Sequence, residues 1–195
     1  MSMCEASLTV FGGRSMKSLM SSFYRAASWL GLIDKDEALH RAARAGHTRT
    51  VTALLAAAAD VDAGGGFALW WAASNGHTKT VEALVDAGAD VHAWGDFALQ
   101  CAAMEGHTET VKTMLAAGAD IHALGDLALQ WAAETGQTET VQALQTAGAD
   151  VHGSGTGQTA LQWAAQNGHV ETERVLRDWL ARAKQIFSSP QPQPG

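Results

Sequence analysis

"GDFALQCAAMEGHTET" at residues 95–110 is followed by "GDLALQWAAETGQTET" at 125–140, a near copy displaced by thirty residues. Working outward in both directions, the chain divides into "DKDEALHRAARAGHTRTVTALLAAAADVDA" (34–63), "GGGFALWWAASNGHTKTVEALVDAGADVHA" (64–93), "WGDFALQCAAMEGHTETVKTMLAAGADIHA" (94–123) and "LGDLALQWAAETGQTETVQALQTAGADVHG" (124–153). A fifth copy starts at 154 and carries two extra residues ahead of its "ALQWAA". The third and fourth copies agree at 17 of 30 positions, so internal repetition decides the fold before any local pattern does.

Each copy reads as two short helices and a connector. In the third, Phe97, Ala98, Leu99, Ala102 and Ala103 form an apolar or small face that stops at Gly106, a residue suited to a left-handed helix end. Thr108 is the expected N-cap of the second helix, with Glu109 in its first turn. Val111, Met114 and Leu115 then fall at i, i+3 and i+4, which buries one face. Gly118 ends this helix, and "ADIHALGD" is expected to run extended into the next copy. A helix pair this small cannot enclose its own apolar face, so its neighbours must stack on it.

Composition agrees with a helical stack. At 195 residues the chain suffices for one domain, and its apolar content leans on alanine, the best helix former. Cys4 and Cys101 share no metal or redox spacing, which argues against a disulfide framework and suits a reducing compartment such as the cytoplasm. No apolar run approaches the roughly 20 residues of a spanning helix, so membrane insertion is not expected. Charge is uneven. Residues 60–173 hold fifteen acidic residues against Lys79 and Lys112, a net −13, between basic ends. That field repels phosphates and argues against direct nucleic-acid binding, while a protein with a basic surface fits it. No phosphate loop, metal signature or nucleophile motif occurs, so neither catalysis nor a cofactor is expected.

The "ALH/ALQ-x-AA" first helix, the "GH" junction and the "GADVxA" exit resemble ankyrin repeats over about residues 34–183. The resemblance implies an all-α solenoid of five stacked helix pairs and a non-enzymatic protein-binding role, either recognising or inhibiting a partner. The alternative is a passive scaffold or an organelle-targeted repeat protein. Three of the four intervals are 30 residues, where the family usually repeats at about 33, so the projecting hairpins should be clipped. Thr50, Thr80, Thr110 and Thr140 stand where the family usually has aliphatic residues. Gln145 replaces the aliphatic residue seen as Leu55, Val85 and Leu115, which marks the fourth unit as the softest.

Three segments follow from this reading: an extension at 1–33, repeats with a C-terminal cap helix at 34–187, and a disordered tail at 188–195. In the extension, Ser15 could cap a helix striped by Met16, Leu19, Met20, Phe23, Ala27 and Leu30. A transit peptide is the alternative, because residues 6–33 hold Arg14, Lys17 and Arg25 and no acid. In the cap helix, Leu176, Trp179, Leu180, Ala183 and Phe187 form the stripe.

Recurrent His47, His77, His107 and His169 in "GH" are expected to tie the turns to neighbouring backbone. Stacked helices lie about 8–10 Å apart, too far for such residues to share one ion. Asp60, Asp90, Asp120 and Asp150 read as turn residues. Trp71, Cys101, Trp131 and Trp163 share a packing register. Trp70 and Trp94 break the pattern and are the candidate binding anchors. The resemblance places the partner on the face formed by connectors and first helices. That face adds Asp96, Leu124 and Asp126 on the connectors, and Met104, Glu105 and Glu134 before the "GH" turns. Oligomeric state and the identity of the partner are not fixed by the sequence.

Overall fold

The computed structural model describes residues 35–152 and 159–188, within which ten helices form five consecutive pairs. The first helices of the pairs are α1 (Lys35–Arg44), α3 (Ala63–Ser74), α5 (Ala93–Met104), α7 (Ala123–Glu134) and α9 (Ala160–Gln166). The second helices are α2 (Thr48–Ala56), α4 (Thr78–Asp86), α6 (Thr108–Ala116), α8 (Thr138–Ala147) and α10 (Val170–Ser188). First helices pack on first helices and second on second, so the array has two layers. The expectations for residues 1–33, for the tail after Ser188 and for the Phe187 side chain lie outside the described residues.

The core is a set of columns that translate from repeat to repeat. Leu39, Leu69, Leu99 and Leu129 are fully buried in the first-helix layer, and Val51, Val81, Val111 and Val141 in the second. Burying each such side chain contributes about 1.5–3 kcal/mol, and contact between units adds to contact within them in sustaining the stack. Leu161 is only partly buried, at the open end of the column that Leu129 occupies.

The threonine column is not a weak stripe. Thr80, Thr110, Thr140 and Thr172 are buried, and each hydroxyl bonds the threonine at the start of the preceding second helix. The pairs are Thr48–Thr80 (2.9 Å), Thr78–Thr110 (2.9 Å), Thr108–Thr140 (2.8 Å) and Thr138–Thr172 (2.7 Å). A buried hydroxyl with a partner avoids its desolvation penalty, which is why this register accepts threonine. Thr108 therefore does not cap α6. The N-cap position is His107, and no side chain caps that end.

The connectors differ most from expectation. They are not extended. Trp94, Gly95 and Asp96 have φ of +59°, +69° and +60°, and Leu124, Gly125 and Asp126 repeat this at +53°, +73° and +60°. Gly64, Gly65 and Gly66 do the same one repeat earlier. Each connector is thus one left-handed turn inserted between right-handed segments, closed by the His122 carbonyl accepting from Gly125 and Asp126, and likewise by Asp62 and His92. This turn is where the clipped hairpin has gone, and no strand occurs among the described residues. The middle position is glycine in all three, since a left-handed backbone costs other residues about 1–2 kcal/mol.

Cys101 is buried, and Cys4 lies outside the described residues. In α10, Val175 and Leu176 are buried, and Trp179 and Leu180 pack partly against the core. Arg174 pairs with Glu171, and Arg177 with Glu173, on the outside.

Gln145 is half-buried, as are Leu55, Val85 and Leu115 at the same register. Gln145→Leu is expected to raise the unfolding free energy by about 0.5–1 kcal/mol, the low end for a consensus change because the site is not fully enclosed. A urea titration of the variant that moves the midpoint downward would contradict this.

Candidate functional site

The "GH" histidines close the turns between helices. His77 Nε2 lies 3.0 Å from the Arg44 carbonyl and His169 Nε2 lies 2.9 Å from the Glu134 carbonyl, each in the preceding repeat. Gln137 keeps the arrangement, donating from Nε2 to the Met104 carbonyl at 3.4 Å. A Cβ on Gly46, Gly76, Gly106 or Gly136 would collide with His77, His107, Gln137 or His169 in turn, so the glycine makes room for its successor's side chain. Among the described residues no cluster of ligand-type side chains could hold a metal.

The connector aspartates do two jobs. Asp90, Asp120 and Asp150 each accept the N–H two residues on, as turn residues should. Asp96 and Asp126 are 4% exposed, and their carboxylates accept the Asp120 N–H at 2.8 Å and the Asp150 N–H at 2.7 Å. His92 and His122 pair with the same carboxylates at 3.2 and 3.0 Å. In the first repeat Asp36 accepts from the Asp60 N–H at 2.8 Å. In the second, Gly66 has no carboxylate to offer, and Asp62, standing where the later repeats have histidine, accepts from Asp90 at 2.9 Å. The acid has moved four residues upstream and reaches the equivalent backbone group.

The two pattern-breaking tryptophans compensate for one another. Gln100 donates to the Gly95 carbonyl at 2.7 Å and Gln130 to the Gly125 carbonyl at 2.6 Å, satisfying the middle of each left-handed turn. Trp70 replaces this glutamine, is 7% exposed, and directs Nε1 to Cys101 Sγ at 3.3 Å. The Gly65 carbonyl is taken instead by Trp94 Nε1 at 2.6 Å, from the next repeat. The Trp94 ring also stacks on Phe67, with centroids 6.0 Å apart.

The candidate anchors and rim must be corrected accordingly. Trp70, Asp96, Met104 and Asp126 are buried rather than presented on the surface: the first and third fill the core, and the two acids hold the connectors. Trp94 and Leu124 remain, 55% and 60% exposed on successive connectors, and Glu105 and Glu134 are half-buried at the far ends of α5 and α7. Each exposed apolar residue leans back on the glycine of the preceding turn, Trp94 over Gly65 and Leu124 toward Gly95.

A family model for ankyrin repeats (3 copies) matches residues 13–93 and 99–185, most of the chain. The chain is an ankyrin repeat protein. The match begins at residue 13, inside the segment set apart above as an extension. No curated protein matches the chain. Ankyrin repeats are protein–protein interaction modules, typically without catalytic activity, and no helix among the described residues is long and apolar enough to cross a membrane.

Further rings, partly buried except for Trp70, accompany Trp94 on the ankyrin first-helix layer. Phe67, Trp70 and Phe97 follow one another at 6.1 Å centroid spacings, and Phe97 meets Trp131 edge-on at the same distance. The Arg44 guanidinium sits 4.2 Å above the Trp71 ring. The Trp71 register, which the sequence places chiefly in packing, is partly exposed at Trp71 and Trp131.

Proposed function

We propose that this ankyrin array is the recognition part of a protein pair, holding a partner with a basic surface along its connectors and first helices. The observation that carries the reading is the pair Trp94 and Leu124. Both are large and exposed, and Trp94 is held by its bond to the Gly65 carbonyl, so binding through it would order little that is not already ordered. Trp70 drops out of the contact surface, and Asp96 and Asp126 drop out of the acidic rim. Asp90, Asp120 and Asp150 take over that rim, exposed on the same connectors, with Glu105 and Glu134 further along the face. A segment of net −13 steers a cationic surface toward these anchors. Occupying such a surface with no chemistry of its own, the chain would act as an inhibitor or adaptor.

The full chain, immobilised, should capture a partner whose retention falls steadily as ionic strength rises, because charges separated by more than about 8–10 Å are screened at physiological salt. Capture that is indifferent to salt would sink the basic-surface reading.

A further inference from the structure

The junction of the second and third repeats gathers the departures from the repeat pattern: three glycines in one turn, Asp62 in place of histidine, Trp70 in place of glutamine, and Trp94. A cavity of about 20 Å³ lies there, walled by Phe67, Leu69, Trp70, Trp94, Phe97 and Ala98 and by the backbone of Gly65 and Gly66. That is room for roughly one water-sized sphere. Both indole N–H groups of the lining are engaged elsewhere, on Cys101 Sγ and on the Gly65 carbonyl. Ring and aliphatic carbon offer water no partner, so an apolar group suits the space better than water does.

Trp94 is the outer wall. It is the most exposed side chain of the lining, tethered by the 2.6 Å bond to the Gly65 carbonyl and stacked on Phe67. Swinging the indole outward exchanges that bond for one to water, so this wall moves at small cost. The facing turn carries no side chain. A Cβ on Gly65 would lie 2.9 Å from Trp94 Nε1.

The mouth is acidic. Asp62 and Asp90 begin the two turns that meet at the cavity: the Asp62 carbonyl accepts from Gly65 and Gly66, and the Asp90 carbonyl from Ala93. Asp60, Asp62 and Asp90 each use Oδ1 on a backbone N–H, at 3.0, 2.9 and 2.9 Å. Their Oδ2 atoms have no partner among the described residues. The middle of the chain supplies little counter-charge: between residues 60 and 173 its only basic residues besides histidine are Lys79 and Lys112, both on second helices.

We propose that Trp94 gates a slot for a leucine side chain of the partner, carried between basic residues that face Asp60, Asp62 and Asp90. This slot rests on the partner-binding reading of the face and fixes what one part of it takes. The apolar lining favours an aliphatic group inside. It rejects a cation, which would lose its water there and find no acceptor. The small size favours a branched tip, with one methyl seated inside and the other against the displaced indole. Leucine places that branch further from the backbone than valine or isoleucine does.

The test adds acetyl-lysyl-leucyl-lysine amide, labelled at the leucine methyls, to the full chain labelled at the indole nitrogens of its seven tryptophans. The methyl signals should move upfield, saturably, under the ring currents of the slot. The Trp94 indole signal, assigned from Trp94→Phe, should move with them as its bond to Gly65 is exchanged. The lysyl-seryl-lysine analogue should bind at least about tenfold more weakly, the loss expected for one aliphatic side chain. The glutamyl-leucyl-glutamate analogue should be weaker by at least about the same factor. Asp62→Asn combined with Asp90→Asn keeps the side-chain acceptors and should weaken the lysine peptide at least about threefold. Absence of a saturable methyl shift, or a Trp94 signal that stays still, overturns the gated slot. So does an equal response to either analogue, or a response unchanged in the double variant. A slot that fails while capture stays salt-dependent leaves the proposed function standing, whereas capture indifferent to salt removes the basic partner whatever the peptide does.

Discussion

Asp126→Ala should lower the unfolding free energy by about 2–3 kcal/mol, and the loss should be recovered by moving the carboxylate to position 122. The wild-type carboxylate is buried and accepts from the Asp150 N–H at 2.7 Å and from His122. Removing it strands a part-buried donor, worth about 1–3 kcal/mol, and leaves alanine in a left-handed backbone. Asp126→Gly removes the same acceptor but relieves the backbone, so it should cost somewhat less. The second repeat already contains the cure, since Asp62 with Gly66 serves Asp90 as Asp126 serves Asp150. His122→Asp combined with Asp126→Gly should then approach wild-type stability, whereas His122→Asp alone places two carboxylates together and should destabilise. Urea unfolding of the wild type, His122→Asp, Asp126→Gly and the double variant forms a double-mutant cycle. If the double variant is no better than Asp126→Gly, the carboxylate is not what holds the connector.

Trp94→Ala should weaken partner binding by about 2 kcal/mol or more, chiefly through faster dissociation. It should also lower stability by about 1 kcal/mol, because the bond to the Gly65 carbonyl and the stacking on Phe67 disappear. The carbonyl is at the surface, so water replaces the lost donor and keeps that cost small. Affinity and melting temperature must be read on the same sample. A fall in melting temperature with affinity per folded molecule unchanged would reduce Trp94 to a brace for its connector.

The stack was legible because thirty-residue periodicity leaves few alternatives: one apolar face per helix pair, repeated, can only be buried by its neighbours. The connector was not legible as a shape. Three consecutive left-handed residues, with Trp94 and Asp96 or Leu124 and Asp126 among them, run against every local propensity, and only the invariant middle glycine hinted at them. The site was half legible for a related reason. A residue that breaks a repeat pattern was read as exposed and functional, yet Trp70 and Trp94 break it together, one creating a vacancy at the Gly65 carbonyl and the other filling it. Asp62 and Gly66 form a second such pair. Both could have been found by comparing repeats two positions at a time, because the unit that matters is the bonded pair.

The clasp between glycine and histidine has a direction. The group that closes the turn at Gly46 comes from His77, that at Gly106 from Gln137 and that at Gly136 from His169, always from the repeat that follows. At Gly168 no side chain among the described residues takes this place. A chain made from its amino end therefore finishes each of these repeats one repeat late. Growth of such an array resembles the laying of tiles, in which each course is locked only by the next.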